Sequence, residues 1–402
     1  MTENSSFDDI RPYQDGEVSA ALARILQSHE LRRTLARWRF PRLSHLAPWL
    51  TDWLVNQHLH HQLGTLQTVA DVQQVVVAYM QRMMATTVTE LSFSGLDKLA
   101  ADKAYLFISN HRDIALDPAF INMALFAHGQ QTVRIAIGDN LLTKDYVADL
   151  MRLNKSFIVK RSATSPREKL KASKHLSAFI QHSLQQEHSH VWLAQREGRA
   201  KDGNDGTNAA IISMLALNRP KTQEYADYIR ELNIVPVAIS YEWDPCDAAK
   251  TQELFSLRQT GEYRKQTHED IASIAAGIAG FKGHVHLAFG EPLTADYGNA
   301  EAVAAEIDRQ IWQNYRLYPS NLLAYQQLTG SDDIAKHMSE VELADCQQQR
   351  ALFQQRLQSI ASAQQDIFLA MYANPVLNKT GEASPVILHE QQTAAEATHP
   401  SV

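Results

Sequence analysis

The feature that most constrains this chain is a change of apolar period near residue 86. Before it, "EVSAALARILQSHELRRTLARW" and "TVADVQQVVVAYMQRMMATTV" carry apolar residues every three or four positions, the spacing of one helix face. After it, "TELSFSG" alternates apolar and polar residues in the manner of a strand. Short apolar runs follow: "AYLFIS", "TVRIAIG", "SFIVKR", "HVWLAQ" and "NIVPVAIS". Helical stretches lie between them, over 118–128, 144–153, 166–187 and 207–217, and "HVHLAFGEPL" adds one more strand before a helix at 299–315. Strands separated by helices predict an α/β fold, with a mostly parallel central sheet flanked by helices and an N-terminal helical subdomain.

The same reading sets the expected boundaries. Residues 1–16 are polar and acidic and read as a flexible tail. Residues 17–86, punctuated by Pro41 and Pro48, form the helical subdomain, and 87–330 the α/β domain. A Gln- and Ala-rich helical extension covers 331–375, and 376–402 reads as a disordered tail. No internal repeat occurs.

Composition excludes some classes of function. The 402 residues are 45% hydrophobic and 21% charged, ordinary globular values. A net charge of -7 argues against nonspecific nucleic-acid binding. The two cysteines, Cys246 and Cys346, form neither a disulfide framework nor a metal-ligand motif. The N-terminus lacks the basic-then-apolar order of a signal peptide, and no run of about 18 apolar residues predicts a spanning helix. The expected location is cytoplasmic, or peripheral at the inner face of a membrane.

In α/β sheets, ligands collect where strand ends turn into helices. Polar clusters stand at several such places. "SNHRDIALDPAF", 109–120, follows the first core run; "IGDNLL", "VKRSATS", "AQREGRAKDGNDGT" and "PVAISYEWDP" follow others. His111 suggests a general base, since a neutral imidazole accepts a proton near pH 7. A carboxylate on its far nitrogen would fix the tautomer and stabilise the imidazolium. A lone histidine is more often a cap or a core-edge residue; the companion clusters reverse that preference.

These segments resemble the motifs of the glycerolipid acyltransferases, the glycerol-3-phosphate and lysophosphatidate acyltransferases. "NHRDIALDP" is similar to a first motif of His, four residues, then Asp. "FIVKR", 157–161, resembles the second motif, "REGR", 196–199, the core of the third, and "IVPVAIS", 234–240, the fourth. The resemblance runs from about residue 86 to 295, with the motifs in family order. Two departures stand out. His111 and Asp117 are separated by five residues rather than four, so the turn holds one extra residue or Asp113 does the work. Gln195-Arg196 replaces the usual Phe-Pro of the third motif, and Arg199 follows Gly198 directly.

The resemblance implies acyl transfer from acyl-CoA or acyl-carrier protein to a hydroxyl, with no cofactor and no metal. His111 would deprotonate the acceptor, with Asp117 orienting it and Asp113 capping the next helix. Backbone N–H groups near that helix start would hold the oxyanion. A glycerophosphate-type acceptor would lie against Arg161 and Arg199, whose planar forks suit phosphate. Lys160, Glu197, Gly198 and Arg112 complete the expected substrate-binding set. Arg196 and Lys201, like Lys160, read as well as solvated charges. The expected acceptor is 1-acyl-glycerol-3-phosphate. The alternatives are glycerol-3-phosphate, a non-catalytic acyl- or lipid-binding protein, or a thioester hydrolase.

Other motifs carry less. "HRD" at 111–113 lacks the Asn and the Asp-Phe-Gly of a kinase. His58, His60 and His61 spread around a predicted helix rather than converging on a metal. "DGNDG", 202–206, lacks the closing Glu of a calcium loop and reads as a turn. "LRRTLARWRFPRL", 31–43, carries five arginines, with Leu31, Leu35 and Trp38 at helical spacing and Trp49 and Trp53 beyond. Such a segment fits an anionic membrane surface, or equally an ordinary helix with solvated arginines.

Overall fold

The computed structural model describes residues 6–266, 269–331 and 343–386. The chain opens with helices α1 (Asp15–Gln27), α2 (His29–Arg39), α3 (Leu43–Leu46), α4 (Pro48–Leu63) and α5 (Val69–Thr87). Strands and helices then alternate: β1 (Val88–Ser94), β2 (Leu106–Ser109), α6 (Leu116–Ala127), β3 (Arg134–Gly138), α7 (Asp145–Leu153), β4 (Ser156–Val159), α8 (Pro166–Gln185) and β5 (Val191–Ala194). After α9 (Ala209–Leu215) and α10 (Tyr225–Glu231) come β6 (Ile234–Tyr241), α11 (Asp247–Thr260), α12 (Glu269–Ala279) and β7 (Gly283–Phe289). Four helices close the described chain: α13 (Ala300–Asn314), α14 (Pro319–Thr329), α15 (Leu343–Gln358) and α16 (Gln365–Thr380). Each apolar run read as a strand is one.

The chain divides into two compact units. The smaller joins Met1–Arg82 to Val133–Trp192; the larger joins Met83–Thr132 to Leu193–Val402. In the smaller unit the strands lie in the order β5-β3-β4, all parallel. Its helical core gathers Val18, Leu22 and Ile25 of α1, Leu31 of α2, Val72 of α5 and Leu153 of α7. The expected subdomain 17–86 therefore does not stand alone: α1 needs an apolar partner, and α7, from beyond β3, supplies part of it. The expected tail 1–16 is also corrected over residues 6–16, residues 1–5 lying outside the described residues. Ile10 is 2% exposed, its carbonyl accepts the Ile158 N–H at 2.9 Å, and the Phe7 ring lies 5.4 Å from that of Phe179. Ile10 is buried, and Phe7 and Tyr13 are half-buried, in an otherwise polar stretch, and the apolar area they remove from water outweighs the surrounding charge.

In the larger unit the order is β1-β7-β6-β2-β5. β1 with β7 and β2 with β6 are parallel, whereas β6 with β7 is antiparallel. β5 is shared: Val191 and Trp192 pair with β3 in the smaller unit, and just past the strand the Gln195 N–H donates to the Ser109 carbonyl at 2.8 Å in the larger. Every residue of β6 is buried. Its Pro236 is tolerated because the Pro236 carbonyl accepts from Gly290, so the missing N–H faces the side where β7 has already ended. A second core joins Trp243, Phe353, Phe368 and Tyr372 with apolar residues of α14, α15 and α16. The expected disordered tail is corrected in part. α16 continues to Thr380 with Val376 and Leu377 buried, and its Pro375 does not end it; residues 387–402 lie outside the described residues.

This topology positions chemistry. β2 and β6 run parallel in register from Leu106 opposite Ile234 to Ser109 opposite Val237. Their carboxyl ends, and the end of β5 beside β2, bring residues 110, 195 and 241 to one edge of the larger unit.

Candidate active site

The segment after β2 is built around one carboxylate. Asp117 is the second residue of α6, wholly buried, where an acidic group is favoured by the helix N-terminus. Its Oδ2 lies 2.8 Å from His111 Nδ1 and accepts the backbone N–H groups of Arg112 at 2.6 Å and Asp113 at 3.0 Å. Its Oδ1 accepts the Tyr241 hydroxyl at 2.8 Å. A buried carboxylate is tolerable only when its lone pairs are met, and here each oxygen is. The extra residue of "HRDIALD" lets the turn fold back so that Asp117 reaches the imidazole.

Asp113 faces the other way. Its Oδ1 accepts the N–H groups of Ala115 and Leu116, both at 2.9 Å, ending the turn and starting α6. Burial and the Asp117 charge push its carboxyl above the ordinary range. A Cβ on Gly277 would stand 2.0 Å from Asp113 Oδ2, so only glycine lets α12 approach this closely. The N–H groups of Arg112, Asp113, Ala115 and Leu116 are all spent on carboxylates. The donors expected for an oxyanion near the helix start are therefore not these four.

Arg112 is corrected outright as a substrate ligand. It is 7% exposed, pairs with Asp205 at 2.5 Å and lies over the Tyr315 ring. Burial disfavours its charge, but Asp205 outweighs burial and holds the guanidinium protonated above its ordinary value. Its Nη2 is held inside the unit by Asp205 while its buried Nε has no partner among the described residues, and its carbonyl accepts from Lys250 Nζ at 2.7 Å. Asn110 ties the strand ends together: its Oδ1 accepts the Ile239 N–H at 2.7 Å, and its Nδ2 donates to the Ile239 carbonyl at 3.0 Å and to Asp205 at 3.2 Å.

The third motif lies beside this loop, for the Ala200 N–H donates to the His111 carbonyl at 3.0 Å. Glu197 and Gly198 are exposed, with Gly198 in the left-handed region at φ 76. Arg199 is mostly buried. Its Nη2 reaches Ser273 Oγ at 3.4 Å, and its buried Nη1 has no hydrogen-bond partner among the described residues. Both amide atoms of Gln195 are likewise buried without a partner. Lys201 pairs with Glu253.

Arg161 and Lys160 belong to the smaller unit and are exposed. The Arg161 N–H donates to Asp139 at 3.1 Å, and Lys160 pairs with Asp9. The structure thus brings together His111, Asp117 and the 197–199 segment within one unit. Sequence reasoning missed Tyr241, Asp205 and Lys250. Tyr241 stood in the "PVAISYEWDP" cluster and Asp205 in "DGNDG", but neither type at such a place announces which neighbour it will meet. Among the described residues no cluster of His, Cys, Asp and Glu could hold a metal ion.

Residues 90–240 match the family model described as Acyltransferase. That range contains His111, Asp117, Arg161 and Arg199. A search of curated proteins gave no match. Among solved structures, the chain is similar to the 1-acyl-sn-glycerophosphate acyltransferase PlsC of Thermotoga maritima, with 12% identity and a TM-score of 0.33, covering 71% of this chain and 95% of that one.

Proposed function

We propose that the acyltransferase domain at residues 90–240 moves a fatty acyl group from acyl-CoA or acyl-carrier protein to the hydroxyl of 1-acyl-glycerol-3-phosphate. The observation that carries the reading is the 2.8 Å contact between His111 Nδ1 and Asp117 Oδ2. With Nδ1 held by the carboxylate, Nε2 is the atom that takes the acceptor's proton. The acceptor oxygen attacks the thioester carbonyl; the C–S bond then breaks, and the imidazolium returns its proton to the leaving thiolate. Arg199, with a buried guanidinium nitrogen left unpaired, supplies positive charge for the acceptor phosphate. The phosphate role of Arg161 rests on its motif alone.

A membrane-surface location is part of the same reading. No helix among the described residues is long and apolar enough to cross a membrane. In the smaller unit, Leu31 and Leu35 enter the helical core, whereas Trp38 is 72%, Leu46 84% and Trp49 73% exposed. Arg33, Arg37, Arg39 and Arg42 are exposed around them. Aromatic and basic residues in this mixture favour an anionic lipid surface, and vesicle binding that is indifferent to salt would remove this part of the reading.

The test is a product-resolved assay with both donors and a panel of acceptors: 1-acyl-glycerol-3-phosphate, glycerol-3-phosphate and a phosphate-free monoacylglycerol. Acylation of the first, dependent on His111, is expected. Thiol release without an acceptor would indicate a hydrolase, and binding without turnover a lipid-binding protein.

A further inference from the structure

We infer that Tyr241 is a positioning residue for the His111–Asp117 pair, setting through its hydroxyl how strongly Asp117 draws on the imidazole proton. The inference deepens the proposed function and rests on it for the role of His111. Its geometric basis is independent. Tyr241 ends β6, and the parallel register of β6 with β2 carries its side chain to the carboxylate that the segment after β2 presents. The hydroxyl donates to Asp117 Oδ1 at 2.8 Å, while Oδ2 faces His111. The two oxygens are thus divided: Oδ2 serves His111 and two backbone N–H groups of its own turn, Oδ1 the Tyr241 hydroxyl from β6. Tyr241 is 5% exposed, and its ring packs against Phe120 of α6 with centroids 6.0 Å apart, so the hydroxyl has little freedom to leave.

The phenol keeps its proton. Burial, with the charges of Asp117 and Asp113, raises it well above its ordinary value. It is a permanent donor, and a permanent donor on one oxygen draws charge away from the other. Removing it concentrates the carboxylate's charge toward His111, favours the imidazolium and raises the imidazole pKa. The other groups facing this region come from several elements. Asp113 lies in the same turn, and Arg112 is matched by Asp205. Lys250 of α11 is matched by Asp244, and Lys282, before β7, is pushed down to about 8 by burial. Cys246 and Arg199 stand nearby. The backbone N–H groups of Arg112 and Asp113 donate to Oδ2, but no side chain of these groups has a hydrogen bond to an Asp117 oxygen among those described; the Tyr241 hydroxyl does, on Oδ1.

The experiment reads His111 directly. The full chain, labelled at the histidine ring carbons, is titrated by NMR as wild type, as Tyr241→Phe and with 3-fluorotyrosine in place of Tyr241. His111→Gln identifies the resonance. Tyr241→Phe is expected to raise the His111 pKa by about one unit, the scale of one hydrogen bond to a charged group. It should move the acidic limb of the kcat/KM profile upward by the same amount. The fluorinated phenol, a stronger donor that keeps the shape of tyrosine, is expected to move both downward. A role in packing alone would lower kcat without moving either titration. An unchanged His111 pKa in both proteins overturns the inference. If Tyr241→Phe does not fold, the fluorinated protein alone decides. Because the titration needs no turnover, absence of acyl transfer in the wild type would sink the proposed function while leaving this inference to its own result.

Discussion

Two neighbouring segments of the larger unit are built on opposite plans. In the turn at 110–117, polar groups answer one another. Asp117 meets His111, Tyr241 and two backbone N–H groups, Asp113 meets two more, and Arg112 meets Asp205. In the segment from Gln195 to Arg199, buried polar atoms are left over: both amide atoms of Gln195 and Nη1 of Arg199. A buried polar group without a partner costs about 1–3 kcal/mol. In the first segment the His111–Asp117 pair is complete before any ligand arrives, as a base that must keep one orientation requires; what it leaves over, Nε of Arg112 and Oδ1 of Asp205, lies away from that pair. The second leaves a guanidinium nitrogen unspent, and the proposed phosphate role of Arg199 would use it.

The sharpest way to break this contrast is to attack the completed segment. His111→Ala should lower kcat by about 10²–10⁴-fold, the range for a positioned base. Asp117→Asn should approach the upper end, because the amide can hold the imidazole in the wrong tautomer. Thermal melts and kcat on the same preparations check this; a fully active Asp117→Asn protein would remove Asp117 from the reaction. A smaller effect is expected in the incomplete segment. Arg199→Ala should cost roughly 1.5–3 kcal/mol of transition-state stabilisation on phosphate-bearing acceptors, the scale of a hydrogen bond to a charged group. It should spare thioester hydrolysis. Steady-state kinetics on acceptors with and without phosphate separate the cases, and equal losses on both would erase the contrast.

The smallest effect should come at Asp113. Its side chain serves the turn, and Asn keeps an oxygen for the same N–H groups. Asp113→Asn is therefore expected to remain active and to change stability by about 1 kcal/mol or less. The pH dependence has a definite sign. Burial and the Asp117 charge raise the folded-state pKa of Asp113, so the folded protein holds that proton more tightly than the unfolded chain. The wild type then loses relative stability as pH rises past the unfolded value of about 4. Asp113→Asn should gain on the wild type as pH rises above about 4 in chemical denaturation. A variant that loses ground over that range would contradict the assignment.

Much of the fold was legible because periodicity reports burial. The seven strands of the described residues came from apolar runs or, for β1, from alternation; a strand covered on both faces, such as β2 or β6, has little choice but to be apolar, whereas β1 is partly exposed. α11 and α12 escaped notice, as did α10 and α14; several of the buried residues of α11 are polar, Lys250, Thr251 and Glu253 among them, so no clean apolar face marks it. The pairing of His111 with a carboxylate was legible from spacing, down to a choice between Asp113 and Asp117. That choice is made by the turn's hydrogen bonds, which spacing does not contain. Arg112 was misread because a basic residue next to a histidine looks like a ligand, and its partner lies 93 residues away. Tyr241 was invisible for the same reason: 124 residues separate it from Asp117. Strand register joins them, and register is a property of the fold.

α16 braces the segment after Arg199: Asn374 Nδ2 donates to the Asp202 carbonyl at 2.7 Å, and a Cβ on Gly203 would stand 2.2 Å from the Met371 carbonyl. Asp202 and Gly203 flank the route to Asp205, which neutralises Arg112 beside the base. The His111 turn leaves the ribosome long before α16 does. At about 5–20 residues per second the interval is on the order of tens of seconds. Until then the residues matched by the family model, 90–240, are all present but lack the brace that residues 365–380 supply. A nascent chain stalled before residue 365 would display every motif and still leave the loop around Asp205 without this support.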